Sequence, residues 1–240
     1  MRYPWLVPGA SFHPDDDALP ALVRRVFTGL GLRVVKLHSS VGAFSPADRR
    51  LEPLWASAAS EGVPVLIHAG QHSPGDTDAS ELEALDAVLS AHPRLRIVLA
   101  HAGHPATAAA LDLMGRHDNL YADVTPVWLS EIKVTPEDLE RFAGRFLFGS
   151  DAPKNPVPIA DQVARFEAMP LSDRARIMLM GGAAASLTDG TQRNEVPHGT
   201  SSHPRCPETR YIREKPDPGR SMPRPWPSAI QPNSFRISWL

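Results

Sequence analysis

Six successive apolar runs in this 240-residue chain each close on a histidine or an aspartate. They are LVPGASFH ending at His13, RVVKLH at His38, VPVLIH at His68, RIVLAH at His101, NLYAD at Asp123 and RFLFGSD at Asp151. Segments with helical spacing separate them, which predicts repeated strand and helix units feeding a parallel sheet. The runs are nearly continuous in apolar residues, as strands must be when protein covers both faces. In a (β/α) barrel every strand end opens on the same face, where chemistry gathers. A doubly wound sheet is also complete with six strands, but it expects a glycine-rich phosphate loop after the first one. VPGASFHPDDD has no such spacing. The fold class expected is therefore α/β, a TIM-type barrel.

Helices are expected between the strands. Leu19, Leu22, Val23, Val26, Phe27 and Leu30 mark one over residues 17–30, with Gly29 and Gly31 at its exit. Ser45 as cap and Pro46 as first helical residue predict a start for the helix that runs to Gly62. Others are expected over 78–91, 105–116, 136–143, 158–168 and 172–187, the last weakened by Gly181 and Gly182. These units make residues 1–187 one barrel domain. From Thr188 onward nine prolines and no sustained pattern predict a disordered tail over 188–240, since such a segment cannot offset its ordering entropy by burial.

A hydrophobic content of 42% permits a substantial core, and a formal charge of -2 gives no electrostatic case for nucleic acid or an anionic membrane. The expected partner is a small-molecule substrate. No run approaches the ~20 apolar residues of a membrane span, and MRYPWLVPGA lacks a secretory signal's apolar centre, so the expected location is cytoplasmic. The one cysteine, Cys206, lies in the tail, which leaves metal binding to nitrogen and oxygen donors.

His68 and His101 each end a strand and open a His-Ala-Gly sequence, and neutral imidazole is the commonest metal ligand and general base near neutral pH. Asp151 follows Phe146, Leu147 and Phe148, where a buried carboxylate needs a partner or a cation. Read alone, each has an ordinary alternative as a hydrogen-bonded core histidine or a turn aspartate. Lys36 and His38 stand two apart and so share a strand face, suited to binding substrate. His13 and Asp123 are candidates for a supporting shell, Asp123 by orienting an imidazole. His72 and His104 fall in loops and are expected to be solvated.

Together these segments resemble strands 3 to 8 of the amidohydrolase superfamily, in its mononuclear amidohydrolase-related branch, from about Pro4 to Leu187. The resemblance implies that His68 and Asp151 bind a divalent metal, zinc first among the choices. It implies that His101 and Asp151 are catalytic, with Lys36, His38, His13 and Asp123 binding substrate or supporting the site. In binuclear relatives a lysine at the position of Lys36 is carboxylated and bridges two metals. The family's His-x-His pair on the first strand has no counterpart here, so the barrel is expected to be incomplete, with strands 1 and 2 lacking. The two open sheet edges invite association into homo-oligomers. The activity implied is metal-dependent hydrolysis of a small amide, ester or lactone. Decarboxylation, a TatD-type deoxyribonuclease and a non-catalytic remnant are the alternatives. Gly149, Ser150 and Asp151 stand where TatD enzymes carry Glu-Thr-Asp.

Overall fold

The computed structural model describes residues 7–69, 80–125, 134–152 and 155–189. They contain six parallel strands in strict chain order: β1 Gly9–Ser11, β2 Val34–His38, β3 Val65–His68, β4 Ile97–Leu99, β5 Leu120–Asp123 and β6 Phe146–Leu147. Each pairs with the next, in a register that sets Lys36 beside Leu66, Leu66 beside Val98, and His38 beside His68. Sequential order with parallel pairing needs a crossover at every step, and the helices supply it.

Those helices are α1 Leu19–Arg24, α2 Ser39–Gly42, α3 Glu52–Glu61, α4 Ser80–Ala91, α5 Thr107–Arg116, α6 Pro136–Arg141, α7 Ile159–Glu167, α8 Asp173–Ile177 and α9 Ala183–Asp189. One wider turn of five residues, Arg25–Gly29, extends α1, and Met178–Gly182 links α8 to α9 through a non-helical Gly181. The break falls at the glycine pair that weakened this segment in sequence. Two expectations need correction. The turn opening α3 is capped by Asp48, which accepts from the Arg50 N–H at 2.9 Å, while Ser45 only holds Ala47 in the preceding turn. Leu30, expected on the buried face of its helix, is exposed, standing as the cap just past the wide turn.

The main core lies between the sheet's outer face and the helices. Val35, Leu37, Val65, Ile67, Ile97 and Leu99 alternate along the strands and are buried against Trp55, Leu85 and Met114. Phe12 meets Phe27 edge to face at 6.3 Å, tying β1 to the turn after α1. The inner face carries a separate small cluster of Leu66, Val98 and Ala100, against which Leu187 of α9 packs. In closed barrels layers of side chains fill this space. Here a helix after the last strand occupies part of it.

Side chains secure the connections. Thr135 and Asp138 cap α6 reciprocally. Arg176 donates to the carbonyls of Phe166, Glu167, Met169 and Leu171, filling the acceptors that the end of α7 leaves open. Among the described residues no helix is long and apolar enough to cross a membrane. The described residues all belong to one unit by their contacts. Of the segment expected to be a tail, Thr188 and Asp189 complete α9, and the remainder lies outside the described residues.

Candidate active site

The polar strand ends converge as parallel strands in register require. His38 and His68 end adjacent strands as register partners, and their rings stack with centroids 4.1 Å apart and 14° between planes. His101 meets the opposite side of this pair, its ring 5.0 Å from that of His68 and inclined by 71°. Three imidazoles thus form a contiguous arc over β2, β3 and β4.

His101 stands two residues past β4 in a left-handed turn, with φ 55° there, 48° at Ala102 and 67° at Gly103. Left-handed backbone is costly for a side chain with a Cβ, so something must hold it. Asp123 does. Its Oδ1 accepts the backbone N–H of His101 at 2.9 Å, the N–H of Thr125 at 3.0 Å and the Thr125 hydroxyl at 2.6 Å. The His101 ring Nδ1 lies 3.8 Å from the same oxygen, close enough to feel its charge but too far for a hydrogen bond. Gly103 suits the turn, since a Cβ there would come within 2.9 Å of Ala110 and Leu99.

Across β6 the chain passes close beneath this anchor. A Cβ on Gly149 would stand 2.9 Å from the Thr125 hydroxyl and 3.4 Å from the Asp123 carboxyl carbon. Asp151 follows, exposed rather than buried, with φ 50°. The expectation of a carboxylate needing a partner against burial is therefore corrected: three residues past Phe148 the backbone has already turned outward.

Lys36, His101, Asp123 and Asp151 line one cavity of about 420 Å³, within the size range of small-molecule sites. Thr125 and Gly149 share its wall, and neither was given a site role from the sequence. A glycine just past a strand was the available signal for Gly149; nothing marked Thr125. His13 is placed apart from the arc: its Nε2 lies 2.9 Å from the Gly42 carbonyl, and its ring packs edge-on to Phe44 at 5.2 Å. His104, expected to be solvated, is half-buried with its Nδ1 enclosed. His72 lies outside the described residues.

The family model for amidohydrolases matches residues 2–187. The chain belongs to the amidohydrolase family. Among solved structures, this amidohydrolase chain is similar to an uncharacterized TIM-barrel protein from Bordetella bronchiseptica, with TM-score 0.67 and 24% identity over 78% of this chain and 67% of that one. It is also similar to 5-carboxyvanillate decarboxylase from Sphingomonas paucimobilis, with TM-score 0.57 and 18% identity over 75% and 65% of the two chains. Dihydroorotase from Campylobacter jejuni matches with TM-score 0.54 and 17% identity over 75% and 64%. No curated protein matches the sequence. At these identities the likeness carries the fold, a TIM barrel, of which this chain spans about two thirds. Six strands of an eight-stranded barrel agree with that share.

Members of the family typically use a divalent metal. The donors here suit one in kind, imidazole nitrogen and carboxylate oxygen, the set that zinc accepts. In number they fall short, because among the described residues no three such side chains are grouped to hold an ion.

Proposed function

We propose that this amidohydrolase domain is a metal-dependent hydrolase acting on a small amide, ester or lactone. The observation that carries the proposal is that His101 and Asp151 line one cavity, with the His68 ring 5.0 Å from that of His101. We assign a divalent ion, zinc by preference, to His68 and Asp151. When bound it would supply Lewis acidity to the substrate carbonyl.

The chain's own residues do the rest. The Asp151 carboxylate, exposed at the mouth, takes the proton from the attacking water and returns it to the leaving group. The His101 imidazole donates a hydrogen bond to the carbonyl oxygen as negative charge builds there. Asp123 is a positioning residue: by accepting the His101 backbone N–H it fixes the turn that aims the ring. Lys36, in the cavity wall, binds the substrate, and His38, two residues on along the same face of β2 but outside the cavity lining, helps to orient it. Apolar walls keep bulk water from the reacting carbonyl.

The test is hydrolysis of a panel of small esters, lactones and amides by the full chain with added zinc. Expected is turnover that chelator abolishes, falling at least ~100-fold in His101→Ala and Asp151→Asn, in line with loss of one oxyanion donor or one general base. Turnover unchanged in both variants would sink the assignment. Decarboxylation is the second reading, favoured by one observation: Leu147 and Phe148 bring apolar surface to the wall of the same cavity that Asp151 lines. Desolvation of a carboxylate favours loss of CO₂, so release of CO₂ without acid production would select it. Folded chain that neither binds zinc nor turns over any of these substrates would select the non-catalytic reading.

A further inference from the structure

The cavity continues well below the rim that carries the chemistry. Its wall reaches Val34 and Pro64, at the start of β2 and just ahead of β3, while His101 and Asp151 stand at its mouth. Four residue steps along β2 separate those levels, about 13 Å at the rise of a parallel strand. Between them the wall is built by Leu66, Val98 and Leu147 on the strands and by Ala184 and Leu187 on α9. In a closed barrel this space is filled by side chains from all eight strands. Among the described residues six strands and α9 surround a cavity there.

We infer that the lumen is a binding site for the apolar body of a small amphiphile, with medium-chain alkyl dimensions, whose polar head stays at the rim. Three observations support this occupant. The depth matches a medium alkyl chain, and the volume of about 420 Å³ is that of a small-molecule pocket. The lower wall is apolar, so water there gains few hydrogen bonds and is displaced with profit by hydrocarbon. Most polar groups of the wall, among them His101, Asp123 and Asp151, lie at the rim; Thr188 on α9 adds one hydroxyl, and Lys36, beside Leu66, offers a cation to an acidic head that reaches down to it. Ala184 and Leu187 then set how long a chain fits, since they face the lumen from a helix that none of the proposed chemistry uses. Occupation of the lumen requires no reaction, so this inference and the hydrolase reading stand or fall separately.

The experiment is calorimetric titration of the full chain with decanoate, below its micelle concentration. Ala184→Leu projects a larger side chain into the lumen, whereas Ala185 on the same helix is exposed and Ala185→Leu serves as the matched control. Expected is one decanoate per chain, with affinity falling at least tenfold in Ala184→Leu and unchanged in Ala185→Leu. Thermal unfolding of all three proteins checks that each is folded, and Val98→Phe, which fills the lumen from the opposite wall, replaces Ala184→Leu if that variant is not. No binding to the parent chain, or equal binding to parent and lumen-filled variant, overturns the inference.

Discussion

One oxygen of Asp123 accepts three hydrogen bonds, and on it hang both the turn that presents His101 and the end of β5. The carboxylate is buried, so Asp123→Ala strands two N–H groups and a hydroxyl. Leaving buried polar groups unsatisfied costs about 1–3 kcal/mol each before relaxation. Denaturant unfolding of Asp123→Ala should therefore show a loss of at least ~2 kcal/mol, and Thr125→Val a smaller one of about 1 kcal/mol. Equal stability of Asp123→Ala and the parent would contradict the anchoring role. A second residue-scale prediction concerns pH. Hydrogen bonds from the Arg50 guanidinium, then from its N–H, hold the Asp48 carboxyl down at about 2, below its ordinary value of 3.8. A lowered value means the folded state favours the ionised form. Its contribution is complete above the ordinary value and disappears as pH falls through the folded one. The stability difference between the parent and Arg50→Gln should accordingly shrink between about pH 4 and pH 2. Unfolding curves across that range measure it, and a constant difference would show that the pair does not couple to protonation.

At the scale of elements, the strand ends were legible because burial on both faces writes a strand as an apolar run and its functional terminus as the first polar residue after it. That signal located all six strands, and with them His38, His68, His101 and Asp123. Helix starts were read less well. Ser45-Pro46 and Asp48 both offer capping oxygens within four residues, and only three-dimensional context selects Asp48. The one-turn α2 has too few residues for a periodicity to show. Nor could the placement of α9 be seen: its Leu187 packs on the inner sheet face, although the same sequence pattern serves a helix on the outside. Close approaches between elements give a further prediction. Gly149→Ala would drive a methyl into Thr125 and Asp123 at the end of β5. Overpacking of this kind costs about 1–3 kcal/mol. The variant should also lower turnover by moving His101, whereas Gly115→Ala, whose Cβ would meet only the tip of Arg141 at 3.4 Å, should change neither. Matching stability and kinetics for the two variants would refute the close-packing account.

For the molecule as a whole, the sheet of the described residues runs from β1 to β6 with each strand beside its neighbour in sequence. Among the described residues β1 pairs only with β2 and β6 only with β5, which leaves one edge of each without a described partner. Such edges associate unless covered, and light scattering over rising concentration is expected to show dimers or larger species; a monomer at all concentrations would mean the edges are masked. Family membership was legible from the joint spacing of six weak motifs. The sequence has no counterpart of the family's His-x-His pair, and among the described residues no three donors are grouped. The depth of the lumen was not legible, because it depends on how α9 folds back. The central claim is that His68 and Asp151 form the metal-holding part of the site even so. Calorimetric titration with zinc of the full chain and of a His68→Ala, Asp151→Ala double variant tests it directly. The account predicts one zinc per parent chain, bound reversibly and removed by chelator, and no binding to the variant; matching isotherms for the two proteins would contradict it.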